Sequence, residues 1–267
     1  APFTYAWSNS VNNASNPNLG GGTYTVTATD ANGCTSTAVE VVAEPTPLVV
    51  SHSIDTPISC NAVCDGVVTV TASGGTPAYT ITWPSGAVGG TQTGLCAGTY
   101  LVTIDDLNGC QLTESVVLTE PAAIVMTSTI NTPISCNGVC DGDVTISTTG
   151  GTAPITITWP GGAVGGNQTN LCANSYIVTA TDANGCSNTI TVNLTEPTAL
   201  SVSVAQVGTI LCFGDNSVDI NSTVVGGTIN YSYAWGGGQT TPNLTGVGSG
   251  TYNLTITDAN GCTANTS

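Results

Sequence analysis

The sequence contains no lysine and no arginine, and it has one histidine, His52, among 267 residues. Its sixteen acidic residues therefore leave a formal net charge of -16. Nucleic-acid binding and attachment to anionic lipid depend on lysine and arginine, so we exclude both kinds of partner. The chain also lacks an apolar run of the ~20 residues that a transmembrane helix needs, which argues against membrane insertion. Its first residues show no signal-peptide pattern.

The shortage of basic side chains also argues against catalysis. One histidine, present in one copy of a repeated sequence, cannot build a repeated Ser/His/Asp site, and no lysine or arginine is available to stabilise an oxyanion or a phosphate. The single carboxylate pair, Asp105 and Asp106, adjoins a predicted turn. We therefore predict that the chain is not an enzyme.

Cysteine, in contrast, is abundant. The chain has eleven cysteines and no Cys-x-x-Cys pair, a pattern that indicates a disulfide framework. Disulfides persist in oxidising compartments, so the sequence predicts a secreted protein that is extracellular or displayed at the cell surface.

The landmarks of the sequence recur every 76 residues without insertion or deletion. The recurring positions include Trp7, Trp83, Trp159 and Trp235, the cysteines at 34, 110, 186 and 262, and the Glu-Pro pairs at 44, 120 and 196. Internal repeats of this kind define the domain organisation. We predict the C-terminal half of a repeat domain at 1–45, complete domains at 46–121 and 122–197, and a domain lacking its last strand at 198–267. Because both end units are incomplete, we expect the array to continue beyond this sequence in both directions.

Within each unit the apolar residues alternate with polar ones, as in 67–71 and 100–104. Alternation with β-branched residues predicts half-buried strands, and Asn108-Gly109 predicts a two-residue type I′ hairpin turn. Six or seven short strands in such a unit predict an all-β fold. Specifically, we predict tandem immunoglobulin-like antiparallel β-sandwich domains with a 76-residue repeat, stapled by disulfides.

Several of these segments resemble a known family. The run Gly-Thr-Tyr-Thr-Val-Thr-Ala-Thr-Asp-Ala-Asn-Gly-Cys at 22–34 and the segment Cys-Phe-Gly-Asp-Asn at 212–216 resemble the SprB-type repeat of large surface proteins in gliding Bacteroidetes. The resemblance implies a long filamentous adhesin, exported by the type IX system and displayed on the outer membrane, that serves cell adhesion or gliding motility. The second cysteine pair of the two complete units departs from what we expect of a typical copy.

A comparison between copies predicts one class of disulfide. In the fourth copy, Asn216 stands at the position of Cys64 and Cys140, and Gly248 at the position of Cys96 and Cys172. Since both positions lose cysteine together, we predict the pairs Cys64 with Cys96 and Cys140 with Cys172.

The other cysteines allow two arrangements. The preferred one pairs them within domains, as Cys60 with Cys110, Cys136 with Cys186 and Cys212 with Cys262, and leaves Cys34 unpaired within this chain. If the first and last strands of a sandwich run parallel, however, these partners lie at opposite ends of the domain, too far for the ~5.5 Å Cα separation of a disulfide. Cross-domain pairs, such as Cys60 with Cys186, are then the alternative.

The Asp-x-Asn-Gly turns are the candidate metal sites. Their oxygens resemble the start of a calcium loop, but no bidentate Glu follows at the twelfth position, and Asp before Asn-Gly is also ordinary turn chemistry. We favour the turn and expect no cofactor, with calcium as the alternative. The candidate calcium ligands are Asp30, Asn32, Asp106, Asn108, Asp182, Asn184, Asp258 and Asn260.

These observations favour a structural role. We predict a stalk or filament segment of a long secreted cell-surface adhesin, projecting from the cell for adhesion or gliding. The alternative is an extracellular carbohydrate- or calcium-binding module. The expected partners are further copies of the repeat in the same chain, with surface glycans or lateral self-association as further possibilities.

Overall fold

The computed structural model describes residues 2–267, in which every regular element is a β-strand. Within these residues, no helix has the length and apolarity that crossing a membrane requires. The chain divides into two compact units. The first comprises Ala1–Ile58 with Ala62–Glu120, and the second comprises Ser59–Asn61 with Pro121–Ser267.

The first unit contains nine strands. They are β1 (Thr4–Trp7), β2 (Gly22–Thr29), β3 (Thr35–Val42), β4 (Val49–Thr56), β5 (Gly66–Ser73), β6 (Thr80–Thr82), β7 (Thr91–Leu95), β8 (Gly98–Asp105) and β9 (Gln111–Leu118). Strands β4 to β9 form two antiparallel three-stranded sheets, ordered β4-β5-β7 and β6-β8-β9. This is the predicted immunoglobulin-like sandwich, confirmed for residues 49–118.

Alternation places the core of this sandwich between its two sheets. Val68 and Val70 of β5 are buried, as are Val102 and Ile104 of β8, because side chains two residues apart share one face of a strand. Trp83, which is 2% exposed, packs in the same core. The apolar residues therefore join the two sheets across one interior.

A tyrosine corner closes one end of this core. Tyr100 packs edge-on against Trp83, with 6.3 Å between ring centroids. Its hydroxyl donates to the carbonyl of Cys96 at 2.9 Å, as in other immunoglobulin-like folds. Tyr24, Tyr176 and Tyr252 donate in the same way to the residue four positions earlier.

The second unit contains twelve strands. They are β10 (Val125–Thr132), β11 (Gly142–Thr149), β12 (Thr156–Thr158), β13 (Asn167–Leu171), β14 (Asn174–Thr181), β15 (Ser187–Leu194), β16 (Ser201–Val207), β17 (Val218–Val225), β18 (Ser232–Trp235), β19 (Leu244–Val247), β20 (Leu254–Thr257) and β21 (Thr263–Thr266). The sheets repeat the same order, β10-β11-β13 with β12-β14-β15 and β16-β17-β19 with β18-β20-β21.

The last domain corrects one prediction. The expectation that 198–267 lacks its last strand is wrong, because β21 is present in shortened form and pairs with β20 from Leu254↔Thr266 to Thr257↔Thr263. All four residues of β21 pair with β20. The strand β20 lies in the core, where Leu254 and Ile256 are 0% exposed.

Residues 2–45 form one sheet, β1-β2-β3, which corresponds to the second sheet of a complete domain. Its inward face is only half-buried. Val26 and Ala28 are intermediate in exposure, whereas their equivalents Val102 and Ile104 are 0% exposed. This segment is thus one face of a sandwich.

The hairpin between β8 and β9 corrects a second prediction. Asn108-Gly109 does not form a two-residue type I′ turn, because that turn requires a positive φ at both residues, and only Gly109 has one, at 81°. The loop instead spans residues 106–110, with the Gly109 N–H donating to the Asp106 carbonyl and the Asp106 N–H to the Cys110 carbonyl. The aspartate side chain stabilises this longer loop.

Candidate functional site at the repeat junctions

Two disulfides lie within single repeats. The structure joins Cys64 to Cys96 and Cys140 to Cys172, each pair with Cα atoms 4.0 Å apart, which is the pairing that the comparison of copies predicts. Each bridge connects the loop before the second strand of a domain to the loop after its fourth strand. It therefore closes one end of a single sandwich.

Two further disulfides connect successive repeats. The structure joins Cys60 to Cys186 and Cys136 to Cys262, with Cα separations of 5.7 and 5.8 Å. The preferred prediction, which paired Cys60 with Cys110, Cys136 with Cys186 and Cys212 with Cys262, is therefore wrong. The cross-domain alternative is correct. Three exposed cysteines carry no bridge: Cys34, as predicted, and also Cys110 and Cys212.

Strand direction explains why the pairing within a domain fails. The Asn188 side chain, at the start of β15, donates to the carbonyl of Ile124, just before the start of β10, at 2.7 Å. The first and last strands of this domain therefore begin at the same end and run in the same direction. Cys136 follows the end of β10, whereas Cys186 precedes the start of β15. Eight residues at ~3.3 Å each place them ~25 Å apart, far beyond disulfide reach.

In two of the four Asn-Gly turns, the asparagine holds the chain beside the bridge. Asn184 Nδ2 donates to the carbonyl of Ser59 at 2.8 Å, and Asn260 Nδ2 donates to the carbonyl of Ser135 at 2.9 Å. Ser59 and Ser135 directly precede the bridged cysteines Cys60 and Cys136. The two predicted calcium ligands Asn184 and Asn260 thus serve as hydrogen-bond donors across the junction.

The Glu-Pro pairs at 120 and 196 contact the loops that carry Cys60 and Cys136. Glu196 accepts from Asn137 Nδ2 at 2.8 Å and from the Gly138 N–H at 2.7 Å, and the Pro197 carbonyl accepts from Asn137 at 3.2 Å. In the preceding repeat, Glu120 accepts from the Ala62 N–H at 2.8 Å. A Glu-Pro boundary is therefore also a receptor for the loop that carries the bridging cysteine.

The predicted calcium aspartates bind backbone N–H groups. Asp182 is 6% exposed, and its carboxylate accepts from the N–H groups of Thr152, Asn184 and Cys186, each at 2.9 Å. The Thr152 N–H contributes most to holding the pKa of this carboxyl below its ordinary value. Asp106 and Asp258 have the equivalent three donors and a lowered pKa.

Asp30 has two of these donors, the N–H groups of Asn32 and Cys34 at 2.9 and 2.8 Å. Asn108 donates to Thr76 Oγ1 at 2.9 Å. Within residues 2–267, no three His, Cys, Asp or Glu side chains are grouped in a way that could hold a metal ion. The geometry matches the turn interpretation, and calcium binding stays a prediction.

Sequence reasoning missed the junction as a site. The single histidine, His52 on β4, contacts Glu114 Oε1 through Nδ1 at 2.6 Å. The roles of the Asn-Gly asparagines and of the Glu-Pro glutamates were also missed. One signal for them exists: both recur every 76 residues together with the bridging cysteines.

Comparison with known proteins agrees with the resemblance drawn from the sequence. Residues 53–88 and 128–164 match the family model of the SprB repeat, which confirms that resemblance for these two stretches. No curated protein sequence matches the chain.

Three solved structures are similar to this chain, with TM-scores of 0.41, 0.27 and 0.24. The three N-terminal domains of the highly immunogenic outer capsid protein Hoc of bacteriophage RB49 give a TM-score of 0.41 at 15% identity, covering 82% of this chain and 96% of that one. Dpr2 Ig1-Ig2 in complex with DIP-Theta Ig1-Ig3 gives 0.27 at 13%, covering 73% and 89%. The N-terminal eight Ig domains of Down Syndrome Cell Adhesion Molecule give 0.24 at 11%, covering 99% and 56%.

Proposed function

Because residues 53–88 and 128–164 are matched as SprB repeats, we propose that the chain is a non-catalytic spacer segment of an extracellular, cell-surface adhesin-like protein. In this role the repeats form a stalk that carries mechanical load between the cell and a distant attachment point, in adhesion or gliding. Disulfides persist in oxidising compartments, and the four bridges support an extracellular location.

The observation that carries this proposal is the overlap of the two cross-repeat disulfides. One encloses residues 60–186 and the other encloses 136–262. Every peptide bond between Cys60 and Cys262 therefore lies inside at least one closed loop. A single backbone break anywhere in this span leaves the chain covalently connected. A stalk that is exposed to proteases and to tension benefits directly from such redundancy.

The bridges also limit how far the chain can extend under load. The shortest covalent path runs along 1–60, crosses to 186, returns along the chain to 172, crosses to 140, returns to 136 and crosses to 262. This path extends to ~300 Å, compared with ~900 Å for the reduced chain. Pairing within domains would give a limit of ~400 Å. Cleavage at a repeat boundary distinguishes the two arrangements more sharply.

The absence of lysine and arginine allows a clean cleavage test. Trypsin has no site in the natural sequence, so Ala122→Arg introduces a single site at the boundary between the two complete repeats, where Ala122 is exposed. With free thiols alkylated, this variant is digested in urea without reductant. We expect one species of full mass on a non-reducing gel, which separates into 1–122 and 123–267 only after reduction.

Ala43→Arg is the matched control, since this exposed residue lies before Cys60 and outside both loops. It should release 1–43 with or without reductant, and the natural chain should not be cut at all. Separation of the Ala122→Arg halves without reductant would show that no covalent link crosses the boundary. It would contradict the proposal that the repeats form a covalently linked stalk that carries mechanical load.

A further inference from the structure

The loop after Cys136 contains an Asn-Gly pair, Asn137-Gly138, in which a backbone nitrogen and a side-chain nitrogen contact one carboxylate. Glu196 Oε2 accepts from the Gly138 N–H at 2.7 Å, and Glu196 Oε1 accepts from Asn137 Nδ2 at 2.8 Å. The carbonyl of Pro197 accepts from the same Nδ2 at 3.2 Å. Because both partners of Nδ2 are acceptors, the Asn137 amide is oriented with its nitrogen toward the carboxylate.

An asparagine that precedes a glycine can cyclise. The backbone nitrogen of the glycine attacks Cγ of the asparagine, the side-chain nitrogen leaves as ammonia, and a succinimide ring forms. Glycine favours this attack because it has no Cβ to obstruct the close approach of its backbone. The attacking nitrogen must lose a proton and the leaving nitrogen must gain one. A carboxylate within hydrogen-bond distance of both nitrogens can therefore act as base and then as acid.

The chain has five Asn-Gly pairs, and the other four lie in the Asp-x-Asn-Gly turns at 32, 108, 184 and 260. In each of these turns the glycine N–H donates to the backbone carbonyl of the aspartate, at 3.0–3.1 Å. A neutral carbonyl is a much weaker base than a carboxylate. The turns are thus internal references that have the same two residues with a different acceptor on the glycine nitrogen.

The repeat at 46–121 has the equivalent carboxylate beside a different dipeptide. Glu120 accepts from the Ala62 N–H at 2.8 Å, and residue 61 is again an asparagine. Ala62 and Gly138 both have a positive φ, 59° and 76°, so the backbone lies in the left-handed region at both positions. Because Ala62 has a Cβ that obstructs attack, the two repeats separate the effect of the glycine from that of the carboxylate.

We propose that Asn137-Gly138 is a self-modification site, at which Glu196 is the acid–base group for cyclisation of the asparagine. A bond forms between the Gly138 nitrogen and Asn137 Cγ, and the bond between Cγ and Nδ2 breaks. Glu196 takes the proton from the Gly138 nitrogen and gives it to Nδ2, which leaves as ammonia, so the carboxylate is regenerated. Water then opens the ring to aspartate or isoaspartate, since both residues of the pair are exposed. Each chain reacts once at this site, without turnover.

The reaction weakens the contact between this loop and the Glu-Pro boundary. The succinimide has neither the Gly138 N–H nor Nδ2, so it cannot make the three hydrogen bonds to Glu196 and Pro197. Opening of the ring places a second carboxylate beside Glu196, and the two like charges repel. The adjacent Cys136 stays bonded to Cys262. Modification therefore loosens the loop while the covalent link between the repeats persists.

The test follows all five Asn-Gly pairs in the full chain at neutral pH. Succinimide, aspartate and isoaspartate are measured by peptic digestion and mass spectrometry, with the reduced and alkylated chain in urea as the unfolded reference. General acid–base catalysis contributes about 100-fold or more, part of which is lost because the folded loop restricts the approach of the two atoms. We therefore expect Asn137 to react at least ~10-fold faster in the folded chain than in the unfolded chain. The turn asparagines should gain no rate from folding.

Two variants separate catalysis from a structural role of the carboxylate. With Glu196→Gln, Asn137 should react at about its rate in the unfolded chain, because the glutamine side chain cannot take up the proton. A purely structural role predicts the opposite change, since a loosened loop would free Asn137 to react faster. With Ala62→Gly, which creates the reactive dipeptide beside Glu120, Asn61 should react at about the rate of Asn137.

The folded and unfolded rates of the natural chain decide the question even if Glu196→Gln disturbs the loop, which a map of the Cys136–Cys262 bridge would reveal. An Asn137 that reacts no faster in the folded chain than in urea overturns the proposal. Faster reaction of Asn137 in a correctly bridged Glu196→Gln chain does so as well. An Asn61 that gains no rate from Ala62→Gly is the third contrary result.

Discussion

The fourth repeat lacks the internal disulfide of its neighbours, and restoring that bridge tests how these domains are stabilised. Asn216 and Gly248 occupy the two positions, and a Cβ atom built on Gly248 would lie 2.4 Å from Asn216 Oδ1. Gly248→Cys alone therefore clashes with Asn216. In Asn216→Cys with Gly248→Cys the clash disappears, because the second side chain becomes the bonding partner. We expect this double variant to form a bridge equivalent to Cys64–Cys96.

The expected gain follows from the length of the loop that the bridge closes. The equivalent bridges span 32 residues, for which the chain-entropy model gives about 4 kcal/mol of added stability. Engineered bridges often deliver less, so we expect an increase of about 3 kcal/mol in the free energy of unfolding of this domain. For a domain of this size, that increase corresponds to a rise of ~15 °C or more in Tm.

Hydrogen exchange measures this domain separately from the others. The amides of β20 lie among fully buried residues, Leu254 and Ile256, so they exchange through the largest opening of the domain. Digestion with pepsin after exchange yields the peptides to be compared. A gain of about 3 kcal/mol in the free energy of unfolding slows the exchange of the β20 amides ~150-fold. Peptides from β8, which lies in the first unit, should be unchanged.

The matched control is Asn216→Ser with Gly248→Ser, which introduces similar side chains that cannot bond. If the oxidised double-cysteine variant protects β20 no better than this control, the reasoning from paired loss of the two cysteines is refuted. A bond from either new cysteine to Cys212 would refute it equally.

Two further predictions concern the aspartates of the Asn-Gly turns. Because the pKa of Asp182 is lowered by N–H donors, chiefly that of Thr152, its contribution to stability is complete above the ordinary aspartate pKa of about 4 and is lost as pH falls through the lowered value. Urea unfolding between pH 2 and 6 should therefore show a decline below about pH 4 that Asp182→Asn reduces. For calcium, we expect only a slight rise in Tm, from screening of the negative charge. A saturable rise of several degrees at micromolar calcium that Asp182→Ala abolishes would instead establish a metal site.

Local pattern was sufficient to predict the sandwich. Val68 and Val70 alternate with threonines along β5, and the structure buries the valines. Period-two alternation assigns each side chain to a face whatever the rest of the chain does. The Asn-Gly turn was predicted less well, because the dipeptide alone does not reveal that the Asp106 carboxylate stabilises a longer loop through the N–H groups of Asn108 and Cys110.

The internal bridges were also predictable, because the copies of the repeat within this chain differ at both cysteine positions. Asn216 and Gly248 replace both cysteines of a pair in the same copy. No such comparison exists for the cross-repeat bridges. Each of the three copies that contain both positions has both cysteines, Cys60 with Cys110 in the first of them, so loss of one partner is never observed.

When every copy keeps both cysteines, the sequence cannot show whether a cysteine pairs within its own copy or with the next copy. Pairing a cysteine with its partner in the same copy, or with the equivalent partner in the next copy, leaves every aligned position identical, since the two choices differ by one full period. Only geometry within a domain distinguishes them. The contact between Asn188 and Ile124 shows that β10 and β15 begin at the same end, so the two cysteines of one domain must lie at opposite ends. The bond then has to reach the neighbouring repeat, and a domain with a parallel first and last strand is thereby suited to covalent linkage in series.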